Sequence, residues 1–234
     1  MGRFDGKVAI VTGGGAGIGE AIVLKLAAEG ARVVVNGLTD DPIEDVAATA
    51  RRVGPGAVVC AGDVGEEGTA ERCVDLALSE FGRLDVLVNN AATEADRMCP
   101  AEEMPVSELD RLYRANVRSV VLATGAALPV LKRFHGAIIT AGSTAGVSGI
   151  PNMAIYGGTK GFATSFTLGV AAEAGKDGVR ASRDGPRSHR HRPDAPRGRP
   201  AHRGGRGNDR QGHHRRPAGD RGGDRQRLRV PGER

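Results

Sequence analysis

Long apolar runs are missing from this chain of 234 residues. None approaches the ~20 residues that a membrane-spanning helix needs, so no membrane span is expected. The first strand-like run starts at Lys7, which leaves no room for a signal peptide ahead of it. Tryptophan is absent, and the three cysteines (Cys60, Cys73 and Cys99) follow no metal-ligand spacing. Their odd number argues against a disulfide framework and for a reduced, cytoplasmic setting. Cys60 and Cys73 read as small core hydrophobes, and Cys99 as a loop residue open to exposure. The sharpest shortage begins at Ala181. From there to Arg234 there is no lysine and no aromatic residue, and Leu228 and Val230 are the only large aliphatics.

That shortage divides the chain. The net charge of +5 combines a body to Arg180, with 17 basic and 22 acidic side chains, and a remainder with 16 arginines and 6 acids. An acidic body at 1–180 and a basic tail at 181–234 are the expected units. A segment with so little to bury cannot offset the entropy of ordering itself, and disorder is expected there. Arg203-Gly204-Gly205-Arg206-Gly207 suggests nucleic-acid binding, but the aromatic platforms that stack on bases are lacking.

What is present is periodic. Lys7-Val8-Ala9-Ile10-Val11-Thr12 reads as a strand and leads into Gly13-Gly14-Gly15-Ala16-Gly17-Ile18-Gly19. A helix follows, with Ile18, Ile22, Leu24 and Leu26 at near-helical spacing. Strand, glycine turn and helix form the context of a dinucleotide fingerprint. The glycines permit close approach of a pyrophosphate, and the helix start offers free N–H groups to it. Further strands are predicted at 31–36, 57–61, 84–89 and 138–141, and helices at 42–53, 66–81 and 106–133. Pro129 predicts a kink or break in the last turn of that third helix. Strands that are apolar throughout and alternate with helices predict an α/β fold with a doubly wound parallel sheet. Its ligand crevice lies at the strands' carboxyl ends.

Tyr156 and Lys160 are four residues apart, so on a helix they share a face. A tyrosine is a poor base at neutral pH, with an unperturbed pKa of about 10. A fixed cation beside it would lower that value and suit it to proton transfer. Ser143, at a strand end, would hold the oxygen that exchanges the proton. The spacing by itself is equally that of an ordinary helix-surface pair.

Taken together, Thr12-Gly-x-x-x-Gly-x-Gly19, Asp63-Val64, Asn89-Asn90-Ala91-Ala92, Asn116, Ser143 and Tyr156-x-x-x-Lys160 resemble the short-chain dehydrogenase/reductase family. The resemblance runs from about Gly6 to Arg180. It departs at Ala92, where the family has glycine. It implies a Rossmann-like fold and an oxidoreductase that interconverts an alcohol and a carbonyl with NAD(P). It assigns catalysis to Asn116, Ser143, Tyr156 and Lys160, with Asn116 holding a water. It gives the cofactor to Thr12, Gly13, Gly15, Gly17, Ile18, Gly19, Asn36, Asp63, Val64, Asn90, Ala91 and Ala92, together with Tyr156 and Lys160. The implied partner is a small alcohol or carbonyl, and the family is usually homotetrameric. A catalytically dead nucleotide-binding remnant, or a basic-tailed nucleic-acid binder, is the alternative. The substrate wall is expected at 93–98 and 145–153, partly apolar through Val147, Ile150 and Met153.

Cofactor preference turns on the end of the second strand. An acid there binds the ribose hydroxyls of NAD, and an arginine pairs with the phosphate of NADP. Asn36-Gly37-Leu38 offers neither, and Asp40 and Asp41 read as the start of the next helix. The missing acid slightly favours NADP.

The tail has one more reading. Shifted by one base from about Arg183, permitted codons yield a Pro-Gly-x-Ile-x-Thr segment and a later apolar helix, both of which the family carries at these places. A frame-shifted translation accounts for the arginine excess. On that reading the sixth strand is lost and the fifth strand is left with unpaired backbone. The chain as written would then be aggregation-prone and at best weakly active.

Overall fold

The computed structural model describes residues 2–185. The readings made for the tail, whether disorder, frame shift or nucleic-acid binding, concern residues outside these, apart from the few at its start.

Valine-rich segments with no polar face can be strands only where both sides are covered, and the sheet is built that way. Its strands are β1 (Val8–Val11), β2 (Arg32–Gly37), β3 (Ala57–Ala61), β4 (Val86–Asn89), β5 (Ala137–Ala141) and β6 (Arg180–Asp184). All pairings are parallel, in the order β3-β2-β1-β4-β5-β6. Val33, Val34 and Val35 of β2 are wholly buried. The helices are α1 (Gly17–Ala28), α2 (Ile43–Val53), α3 (Thr69–Phe81), α4 (Val106–Tyr113), α5 (Ser119–Phe134) and α6 (Ala154–Ala174). One face of the sheet, through Ile10, Val34, Leu87 and Ile138, packs on α3, α5 and α6. The other, through Ala9, Val11, Val33, Val35 and Val88, packs on α1 and α2. The order reverses between β2 and β4 around β1, so the crevice opens at the carboxyl end of β1, beside the glycine turn.

Three expectations are corrected. The single helix predicted over 106–133 is two helices, α4 and α5, joined by a π-helical turn at Arg114–Arg118. Pro129 does not end α5, which continues to Phe134. Cys99 is buried, at 4% exposure, rather than open in its loop.

The largest correction concerns β5. Its backbone is paired, because Arg180–Asp184 aligns with Ala137–Ala141 over all five residues. Strand pairing is made by the main chain, so an Arg-Ala-Ser-Arg-Asp segment without apolar periodicity can still supply it. What such a segment lacks is side chains to bury, and no residue of β6 is fully buried. One face of β5 shares that condition, with Ile139 exposed at 37%.

Opposite the crevice, Asp85 fastens the amino ends of the strands. It is 5% exposed and accepts from the Val8 amide (3.0 Å), Lys7 Nζ (3.0 Å) and the Arg83 guanidinium (2.7 Å). Burial alone would push this carboxyl up, but the bonds from Arg83, Val8 and Lys7 outweigh it and hold it below the ordinary value. A depressed carboxyl stabilises the fold above its unfolded pKa and loses that contribution as pH falls. Asp85→Ala should therefore lower unfolding stability by about 2–3 kcal/mol at pH 7. The deficit should shrink below about pH 4, where the carboxyl of the unfolded wild-type chain takes up a proton before the folded one does. Urea titrations at pH 7 and pH 3.5 measure both.

Candidate active site

The glycine turn is held from beneath by Thr12. Its hydroxyl accepts from the Asn90 and Ala91 amides, each at 3.0 Å, and donates to the Val88 carbonyl at 3.3 Å. The side-chain amide of Asn90 donates to the Thr12 and Gly13 carbonyls at 3.1 and 3.0 Å. The ends of β1 and β4 are thus tied together. Gly13 has φ +62°, and a Cβ there would stand 2.9 Å from the Ala91 Cα. At Gly19 a Cβ would lie on the Gly13 carbonyl. These two positions need glycine for close packing of turn on turn. Gly17 differs, with φ +54° and open space around its missing Cβ, at the first turn of α1. That helix has no side-chain cap, so its first N–H groups and positive end face outward. Ile18 beside it is 74% exposed. An uncapped helix start beside an open glycine fits the phosphates of a dinucleotide.

The remaining predicted cofactor residues lie at or just beyond the carboxyl ends of β2, β3 and β4. Val64 is in the core at 4% exposure, and Ala92 is exposed. Asp63 accepts from the Gly65 amide (2.7 Å) and from Arg114 (3.0 Å), and Arg114 also pairs with Glu66. Asn36 is 1% exposed and donates to the Cys60 and Gly62 carbonyls at 2.9 Å, bracing the ends of β2 and β3.

Ser143, Tyr156 and Lys160 converge because backbone packs directly on backbone. The turn after β5 lies against the start of α6. A Cβ on Gly146 would stand 2.7 Å from the Lys160 carbonyl carbon, and one on Gly157 2.6 Å from the Ala145 carbonyl oxygen. Ser143 caps the short 3-10 turn Thr144–Gly146, accepting from the Ala145 amide at 3.2 Å. Lys160 is 6% exposed, with Nζ 3.4 Å from the Ala141 carbonyl and 6.0 Å from the centre of the Tyr156 ring.

The electrostatics differ from the simple expectation that Lys160 lowers Tyr156. Burial pushes the Tyr156 phenol up, hydrogen bonding to Ser143 pulls it back, and the nearby Glu94 carboxylate pushes it further up. Burial also lowers Lys160, against a smaller raising effect of Glu94. The lysine ammonium leans on the Ala141 carbonyl rather than on the phenol oxygen, so it does not govern the tyrosine in this state.

Asn116 lies in the π-helical turn and is 1% exposed. Its oxygen accepts from the Thr93 amide at 2.7 Å, and its nitrogen donates to the Thr93 carbonyl (2.8 Å) and Thr159 Oγ1 (3.1 Å). Both amide hydrogens are used, so the side chain is a brace between the turn after β4 and the residue preceding Lys160.

Sequence reasoning missed one contributor. Arg111 clamps the segment after β4, donating to Thr93 Oγ1 (2.8 Å), the Glu94 carbonyl (2.7 Å) and Asp96 (2.8 Å). Glu94 itself lines a pocket above Tyr156 with Ala95, Met98, Met104, Asn152 and Met153. The wall expected at 93–98 and 145–153 supplies Glu94, Ala95, Met98, Asn152 and Met153 to this pocket, whereas Val147 and Ile150 are not among its lining residues. No local pattern marks a lone arginine for this duty. Among the described residues no group of acids, histidines and cysteines could hold a metal ion, and no helix is long and apolar enough to cross a membrane.

Thr12→Val keeps the shape of that side chain but leaves the Asn90 and Ala91 amides without an acceptor. A loss of about 2 kcal/mol is expected, with Thr12→Ser close to wild type. Chemical denaturation of the three proteins provides the comparison, and equal stability of all three would contradict the role of this hydroxyl.

Known proteins share this arrangement. The short chain dehydrogenase family profile matches residues 7–186. A hydroxynaphthalene reductase-like protein of Metarhizium acridum is 35% identical over 171 residues, covering 73% of this chain and 63% of the relative. Versicolorin reductase of Emericella nidulans is 34% identical over 174 residues, 74% of this chain and 65% of its own. The chain therefore spans somewhat less than two thirds of the length of these relatives. Among solved structures, a doubly substituted Serratia marcescens short-chain dehydrogenase/reductase superposes with TM-score 0.72 at 34% identity, covering 77% of this chain and 73% of the other. Levodione reductase superposes with TM-score 0.73 at 30% identity, covering 77% and 71%. With its sheet order, its glycine turn and the meeting of Ser143, Tyr156 and Lys160, this chain belongs to the short-chain dehydrogenase family.

Proposed function

We propose that this protein is an NAD(P)-dependent oxidoreductase that interconverts an alcohol and a carbonyl. The observation that carries the reading is the convergence of Ser143, Tyr156 and Lys160 beside a pocket that ends on the tyrosine. Thr12, Gly13, Gly15, Gly17, Ile18, Gly19, Asn90, Ala91 and Ala92 form or support the cradle for the dinucleotide, with Asn36, Asp63 and Val64 at its adenine side. The nicotinamide of a bound dinucleotide supplies or accepts the hydride.

The chain's own residues manage the proton and the oxygen. In the reducing direction the Tyr156 phenol, kept protonated by burial, donates to the carbonyl oxygen. In the oxidising direction its phenolate takes the alcohol proton. Ser143 donates a hydrogen bond to the substrate oxygen. With a dinucleotide bound, the Lys160 ammonium would hold the nicotinamide ribose and stabilise phenolate as it forms. Asn116 keeps the Thr93 turn and α6 in register, and the water-holding role implied for it would fall to its main chain.

The pocket over Tyr156 pairs three methionines with one carboxylate. Methionine walls suit an apolar ring, and Glu94 repels an anion. A neutral cyclic or aromatic carbonyl suits this lining, in keeping with the naphthalene in the name of one reductase relative. We further propose a cytoplasmic setting that keeps Cys60, Cys73 and Cys99 as free thiols. Self-association would use the exposed Leu109, Tyr113 and Val121 of α4 and α5.

Tyr156→Phe should reduce turnover by about 10²–10⁴-fold while dinucleotide binding, followed by calorimetry, changes little. Retention of the wild-type rate would remove Tyr156 from the chemistry. A second outcome follows from the raised phenol. Alcohol oxidation needs phenolate and should accelerate into the alkaline range, whereas carbonyl reduction needs the phenol and should fall there. Initial rates in both directions from pH 6 to pH 11 test the sign.

A further inference from the structure

The end of β2 is occupied by Gly37, and a side chain there would have to push Ile43 and Asp41 aside. A Cβ would stand 2.5 Å from Ile43 Cγ2 and 2.9 Å from Asp41 Oδ2. The volume that an acid at this strand end would enter is already filled by the carboxylate of Asp41. The same side chain lies against the glycine turn, since a Cβ on Gly15 would stand 2.9 Å from the Asp41 Cβ. Asp41 is held in this place by its own loop. Its Oδ2 accepts from the Leu38 amide at 2.8 Å, and its amide donates to the Leu38 carbonyl at 3.2 Å. Among the described residues, no hydrogen bond reaches Oδ1, and neither Asp40 nor Asp41 takes part in an ion pair.

We infer that Asp41 reads the adenosine ribose and makes this protein select NAD over NADP. The inference rests on the dinucleotide site proposed above. A carboxylate oxygen without a partner accepts hydrogen bonds from a ribose diol. A 2′-phosphate brings a charge of roughly −1.5 to −2 at pH 7 to the same spot. Beside Asp41 and Asp40 it would meet like charge, and none of Gly14, Gly15, Ala16, Gly37, Leu38 and Thr39 can supply a cation to pair with it. A preference for NADP was expected because β2 carries no acid. The carboxylate instead arrives from the loop, four residues later, into the space that Gly37 leaves.

Calorimetric titration of the full chain with NADH, NADPH, 5′-AMP and 2′,5′-ADP tests this without any catalytic readout. NADH should bind at least about tenfold more tightly than NADPH, and 5′-AMP more tightly than its 2′-phosphorylated counterpart. Asp41→Asn keeps an acceptor for the Leu38 amide and removes only the charge. It should narrow the NADH to NADPH ratio by about tenfold with the thermal transition unchanged. Equal or tighter binding of NADPH by the wild type would overturn the inference. So would an unchanged ratio in Asp41→Asn. Failure of all four ligands to bind would instead overturn the dinucleotide site itself, and the preference with it.

Discussion

A single hydroxyl joins the two halves of the sheet at the place where the chemistry belongs. Thr12 takes two amides from the turn after β4 and returns its proton to the Val88 carbonyl. Everything placed by those turns inherits its position from this junction. On one side lies the glycine turn and the open start of α1. On the other lies the segment from Thr93 to Asp96, which Asn116 and Arg111 fasten to α4, the π-helical turn and α6. The proposed cofactor cradle and the proposed substrate wall are therefore not independent loops but two ends of one bracket.

Burial sets the chemistry inside that bracket. Lys160 and Tyr156 are largely removed from water, which disfavours the charged form of both. A protonated phenol beside a lysine of lowered basicity is a resting state suited to giving a proton. The carboxylate of Glu94 acts on both groups from the pocket mouth and raises both, so it reinforces burial at the tyrosine and opposes it at the lysine.

The fold was legible in the sequence because its signals are local. Val33-Val34-Val35 could only be a doubly covered strand, and Thr12 to Gly19 could only turn into a helix. The meeting of Ser143, Tyr156 and Lys160 was legible as a motif, but its electrostatics were not. Whether Lys160 or solvent exclusion governs Tyr156 depends on how closely Gly146 and Gly157 let two backbones approach, which spacing alone does not encode. Asp41 was hidden for a similar reason. It was read as a helix start from its neighbours in sequence, whereas its place is fixed by a void beside Gly37 that only packing reveals. β6 was hidden for the opposite reason, since main-chain pairing leaves no trace in hydrophobic pattern. Arg111 carries no local mark at all.

The unequal covering of the sheet grades its rigidity. β2 is enclosed on both faces, while β5 leaves Ile139 open and β6 buries no side chain fully. Amide protons should thus be best protected in β1 and β2 and exchange most readily towards β6, where opening needs little apolar surface to be exposed. The carbonyl that holds Lys160 belongs to Ala141 of β5, and Ser143 follows two residues later. The proposed proton-handling groups are therefore mounted on the softest margin of the sheet, and the proposed dinucleotide cradle on its hardest. On warming, the protein would lose its reacting geometry while still able to hold the nucleotide.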